Sequence, residues 1–180
     1  MCVSPNPESP FPRVSGRLAG IGIERGRLEA AHSIRWWDVF LGRHAHNLDA
    51  KGRLAIPARF REALAEGMVL TRGIDRCLAL YPLDAWRPLA EKVASLPLTD
   101  ADARNFRRLV FAAAADLTLD GQGRVLIPPD LRRYAEIERE ALVVGVDTAI
   151  EIWSPARWAA VEASLDADGV EIAQRLGSLI

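Results

Sequence analysis

Four basic side chains crowd one stretch of the sequence, Arg43, His44, Lys51 and Arg53, around the string LDAKGRLAIP. They come without a nucleophile and base arranged for bond making. What they do well is neutralise phosphate and donate to base edges, lysine as a point charge and arginine as a planar fork that matches guanine. Lys51, at the tip of the string, is expected to contact phosphate. Arg53 has three uses open to it: a guanine edge, a phosphate, or an ion pair with Asp49. Arg43 and His44 precede them on the same strand and are expected groove or backbone contacts. Asp49 reads as structural, because a carboxylate facing phosphate is repelled. His46, Arg59 and Arg61 are assigned to fold or surface.

The string occurs twice. LDAKGRLAIPARFREAL, around residue 49, is answered 71 residues later by LDGQGRVLIPPDLRRYA. Asp49, Gly52, Arg53, Ile56, Pro57 and Arg61 correspond to Asp120, Gly123, Arg124, Ile127, Pro128 and Arg132. GIDRCLALYPLDAW, from Gly73 to Trp86, is echoed at an offset of 72 by GVDTAIEIWSPARW, from Gly145 to Trp158. Two copies are too few for a solenoid. Each half is too small to bury a good core alone and is expected to pair with its twin.

The copies differ in charge. From Gly42 to Ala65 there are five basic residues against two acidic ones, and from Asp116 to Glu140 four against six, with Gln122 in place of Lys51. Phosphate neutralisation dominates attraction to DNA. The first copy is therefore expected to face DNA and the second to act mainly as scaffold.

The elements that must position these residues follow from local punctuation. Arg43 to Leu48 alternates as a short strand, Asp49 to Gly52 is a tight turn, and Arg53 to Ile56 returns as a second strand. Asp49 is an Asx-turn former, and Gly52, like Gly123, is read as a turn former only. Pro57 fits the first turn of a helix over Ala58 to Ala65, and Pro128 holds the matching place. Met68 to Thr71 and Cys77 to Tyr81 form a hairpin around Gly73, and Pro82 opens a helix from Leu83 to Ser95. In the second copy Ser154 caps a helix that begins at Pro155 and runs through ARWAAVEASL. The fold class is α+β: two units, each strand–strand–helix–strand–strand–helix.

The expected domains are a first repeat over residues 40–96, a helical linker over 97–111, a second repeat over 112–165 and a tail over 166–180. In the linker Thr99 caps a helix through ADARNFRRLVF. Its Arg104, Arg107 and Arg108 form either a solvated face or a basic stripe toward DNA. In the tail Ile172, Leu176 and Leu179 line a short helix that docks on a neighbour or frays.

Composition bounds the rest. The chain has 180 residues, 49% of them apolar, and a net charge of −1, so any nucleic-acid binding needs a local basic patch helped by oligomerisation. Cys2 and Cys77 make no disulfide framework or zinc spacing, and Cys77 in CLALY reads as a small buried hydrophobe. No apolar run is long enough for a membrane helix. The sequence lacks GxxxxGK[ST], GxSxG and HExxH, and His32, His44 and His46 form no metal constellation. No enzyme activity, metal or cofactor is expected.

Residues 1–38 are rich in Pro and Ser near their start and lack the apolar core of a signal peptide. They are expected to be disordered or to precede the true start, since Val39 stands just before Phe40-Leu41-Gly42-Arg43.

The motif LDAKGRLAIP resembles the swapped-hairpin fold of AbrB- and SpoVT-type DNA-binding proteins. Its duplication, with the opening FLGRHAHNLDAKGR, the matching GxD hairpins and the paired Trp86 and Trp158, is similar to the MraZ family over roughly residues 40–165. The resemblance implies two swapped-hairpin β-barrel units in an intrachain pseudo-dimer with flanking helices. It also implies a cytoplasmic, nucleoid-associated transcriptional regulator, a repressor of the division and cell-wall gene cluster. Its implied partners are double-stranded DNA carrying TGGGN-type direct repeats and further copies of itself in a ring-like homo-oligomer, with no membrane. Trp36-Trp37-Asp38 is encoded as TGG-TGG-GAY, which contains TGGGA, so residues 1–38 are expected to carry a trace of such an operator. A rival reading is an antitoxin-like interaction module of the same fold.

Overall fold

The computed structural model describes residues 39–177, and the expectations for residues 1–38 and Leu179 lie outside the described residues. The first copy supplies β1 (Phe40–Asn47), β2 (Arg53–Ala55), β3 (Met68–Arg72), β4 (Leu78–Pro82) and helix α1 (Leu83–Ala94). Helix α2 (Ala101–Phe111) links it to β5 (Ala115–Leu117), β6 (Arg124–Leu126), α3 (Pro129–Tyr134), β7 (Glu140–Asp147), β8 (Ala149–Trp153) and α4 (Pro155–Leu176) of the second copy.

The copies do not fold side by side. An antiparallel six-stranded sheet runs β1-β7-β8-β4-β3-β5, and β2 pairs with β6 in a separate two-stranded ribbon. Exchanging the copies, β1 for β5, β3 for β7 and β4 for β8, reads the same order backwards. A pseudo-two-fold axis therefore passes between β4 and β8. The first strand of each copy lies on the hairpin of the other, β1 on β7 and β5 on β3.

One apolar cluster explains why. It joins Leu54, Ile56, Phe60, Leu64 and Leu70 of the first copy to Val125, Ile127, Leu131, Val143, Ile150 and Ile152 of the second. Burying a side chain of this size contributes about 1.5–3 kcal/mol, and each copy's apolar face is covered by its twin. Cys77 is buried in a smaller cluster with Val144 and Trp153, and burial pushes its thiol up to about 12.

Four expectations are corrected. No closed barrel forms among the described residues: the six-stranded sheet ends on β1 and on the three-residue β5, while β2 and β6 make their own ribbon, bridged to the end of β1 at Leu48 and Leu54. Ala58 to Ala65 is not an α-helix but a 3₁₀ turn, Ala58–Phe60, followed by further turns. Its backbone bonds span three residues, as in Phe60 N–H to Pro57 O and Leu64 N–H to Arg61 O, and this tighter winding buries both Phe60 and Leu64. The cap of α2 is Asp100 rather than Thr99, its carboxylate accepting from the N–H groups of Asp102 and Ala103 at 2.7 and 3.3 Å. Finally, α4 does not stop near Leu165 but continues to Leu176. Arg104 and Arg108 of α2 donate locally, to Leu98 O and to Asn105.

Candidate nucleic-acid interface

The turn before β2 folds as its residues dictate. Asp49 Oδ1 accepts from the N–H groups of Lys51 and Arg53 at 2.9 and 3.0 Å, and Gly52 takes a φ of +79° that a side chain disfavours. The second turn is the same device: Asp120 Oδ1 accepts from Gln122 and Arg124, each at 2.9 Å, and Gly123 has a φ of +73°.

The ribbon joins the two turns. Arg53 lies opposite Leu126, Leu54 opposite Val125, and Ala55 opposite Arg124. Strand alternation sends Leu54 and Val125 into the core, where both are fully buried. Arg53, Ala55, Arg124 and Leu126 are left on the outer face.

There the two arginines and two turn aspartates close a square. Arg53 binds Asp49 through Nε and Nη2, both at 2.7 Å, and Arg124 binds Asp120 through Nε at 2.9 Å and Nη2 at 2.7 Å. The crossed contacts are longer, 3.6 Å from Arg53 to Asp120 and 3.5 Å from Arg124 to Asp49. Of the uses open to Arg53, the Asp49 pair is therefore made. A guanidinium carries five N–H donors, so donors remain for a ligand.

The arginine hydrogen bonds, followed by the backbone N–H groups, hold the carboxyls of Asp49 and Asp120 at about 2. These depressed values stabilise the fold fully above the unfolded carboxyl range near pH ~4. That contribution falls away as pH drops from there toward 2. Thermal unfolding across that window should show melting temperature declining with acid, and Asp49→Asn with Asp120→Asn should flatten the decline. An equally steep decline in the double variant would remove the square from the account.

The other expected contacts are placed differently. Lys51 is exposed at its turn and makes no ion pair among the described residues. Arg43 is paired with Glu162 of α4. His44 packs edge-on against Phe60 with ring centroids 5.5 Å apart, and its Nε2 is buried without a partner. Burial, helped by His44 and Arg61, lowers His46 below its ordinary value. Pro57 and Pro128 precede the 3₁₀ turn and α3 as their N-caps.

Gly52 and Gly123 do more than turn the chain. A β-carbon on Gly52 would stand 2.9 Å from Cζ of Arg132, and one on Gly123 would overlap the guanidinium of Arg61. Each turn thus carries an arginine from the other copy, a contact that turn chemistry alone does not reveal. The only sequence signal was that Arg61 and Arg132 occupy matching places in the repeat.

Comparison with known proteins agrees with the duplication. A family model described as "MraZ protein, putative antitoxin-like" matches twice, over residues 39–109 and 110–177. A relative from Thermomicrobium roseum is 63% identical over 142 residues, covering 79% of this chain and 100% of its own length. Relatives from Herpetosiphon aurantiacus and Roseiflexus castenholzii are 52% and 50% identical, each over 78% of this chain and 98% and 99% of their own. All three carry the name "Transcriptional regulator MraZ".

Proposed function

The chain belongs to the MraZ family, and from that premise we propose that it is a sequence-specific DNA-binding transcriptional regulator. The observation that carries this reading is the ribbon whose outer face holds Arg53 and Arg124. A two-stranded ribbon fits the major groove, where an arginine fork reads guanine. Lys51 and Arg53 are the leading contacts. Arg43 and His44 are groove or backbone contacts of second rank, Arg43 having to exchange Glu162 for DNA and His44 having to turn its buried Nε2 away from Phe60.

The finer reading follows the family resemblance. The regulator is a repressor of the division and cell-wall gene cluster, cytoplasmic and nucleoid-associated. It assembles into a ring-like homo-oligomer of swapped-hairpin pseudo-dimers on TGGGN-type direct repeats. The first repeat spans 40–96, the linker 97–111 and the second repeat starts at 112, its last helix running past residue 165 to Leu176. Multivalent engagement multiplies modest affinities without new contacts, which suits a chain of net charge −1.

Fluorescence anisotropy with DNA carrying evenly spaced TGGGA boxes, against a scrambled duplex of equal length, tests the proposal across a salt series. The operator should bind tighter by about a thousandfold or more, and affinity should fall steeply with salt. Equal affinity for both duplexes would leave a nucleoid-coating protein instead. The words "antitoxin-like" in the family's description favour a second reading, a protein-interaction module. Absence of DNA binding at low salt would favour that one.

A further inference from the structure

The square on the ribbon is internally neutral, two guanidinium groups against two carboxylates. It can orient donors toward bases, but it adds little net attraction for a polyanion. That attraction needs cations outside the square. Arg61 and Arg132 flank it. Both are partly buried, and neither forms an ion pair among the described residues. Arg61 spends its Nε on the carbonyl of Ile56 at 2.8 Å, whereas Nε of Arg132 is buried without any acceptor. Leaving a guanidinium N–H buried without an acceptor, as at Nε of Arg132, is unfavourable. Both are nonetheless held against the turn glycines, Arg132 on Gly52 beside Lys51 and Arg61 on Gly123 beside Gln122.

We propose that Arg132 and Arg61 are phosphate-binding cations of the DNA interface, each carried by one copy and seated on the turn glycine of the other. The interface is then assembled from both copies, and the turn tipped by Lys51 depends on a cation that the second copy supplies. The more acidic surround of the second copy does not make it scaffold alone. This proposal rests on the DNA-binding reading above and adds residues and a shared architecture to it.

The test uses the full chain, with Arg132→Gln measured on the boxed duplex and on the scrambled one. A phosphate contact carries no sequence information. Arg132→Gln should therefore weaken binding to both duplexes by a similar factor, leaving their ratio unchanged. The slope of log affinity against log salt should become shallower by about 0.9 for each bound subunit. An unchanged slope, with or without a fall in melting temperature, overturns the proposal and leaves Arg132 as a buttress of the turn. If the glutamine variant does not fold, the Nε–H signal of Arg132 in the unsubstituted protein decides, assigned through Arg132→Lys. Movement of that signal on adding DNA supports contact, and a stationary signal overturns it. If the unsubstituted protein binds both duplexes equally, the regulator reading fails by itself, while the slope comparison still judges Arg132.

Discussion

Arg53→Ala should lower operator affinity by about a hundredfold or more, while Arg124→Ala, its counterpart in the square, should cost far less. The two substitutions do nearly the same structural damage. Arg53 gives up Asp49 at 2.7 Å and Asp120 at 3.6 Å, and Arg124 gives up Asp120 at 2.7 Å and Asp49 at 3.5 Å. Their melting temperatures should accordingly fall together. What differs is the neighbouring turn tip, Lys51 beside Arg53 but the uncharged Gln122 beside Arg124. A bidentate arginine–guanine contact discriminates by about 1–3 kcal/mol. Several subunits engaged on one operator multiply that loss. Lys51→Ala should weaken binding in the same direction, and Gln122→Ala should leave it nearly intact. Anisotropy titrations at a fixed salt concentration, read beside thermal melts, check the set. Equal affinity losses from Arg53→Ala and Arg124→Ala would show that base reading is divided evenly between the copies.

The distinction between those two turns was visible in the sequence because it is local. An Asx-turn former, a glycine just after the tip and alternating apolar residues specify turn and strand from a few neighbours, and both copies obeyed. The inward Leu54 and Val125 and the outward Arg53 and Arg124 follow from the same alternation. Contacts between the copies were less legible. The repeat implied that each half needs its twin. Which strand exchanges with which, and that Arg61 and Arg132 cross to opposite glycines, depends on packing between residues far apart in the chain. The segment after Pro57 misled for a related reason. Its residues favour a helix, yet the segment winds as a 3₁₀ turn and further turns that carry Phe60 and Leu64 into the core shared by both copies. The length of α4 was missed because the segment after Leu165 carries Gly169, and a glycine inside a helix weakens it without ending it.

Gly145→Ala should destabilise the protein by about 3 kcal/mol or more, the largest loss expected from adding one methyl group. Gly145 matches Gly73 in the repeat, but the two glycines answer different demands. A β-carbon on Gly73 meets the side-chain sulfur of Cys77 first. One on Gly145 runs into backbone, overlapping the carbonyl carbon of Phe40 and lying 2.5 Å from the nitrogen of Leu41 and 2.7 Å from the oxygen of Phe40. Backbone held in a ladder cannot rotate aside. The methyl group can be accommodated only by pushing β1 away from β7, which strains the exchange of strands between the copies and opens the packing around the fully buried Phe40. Overpacking typically costs about 1–3 kcal/mol, and more where the neighbours cannot yield. Gly121→Ala is the control, since nothing lies within 4 Å of the added carbon. Urea unfolding of the two variants should separate them clearly. Equal midpoints would mean that β1 does not approach β7 this closely in solution, and the pairing that interlocks the two copies would have to be redrawn.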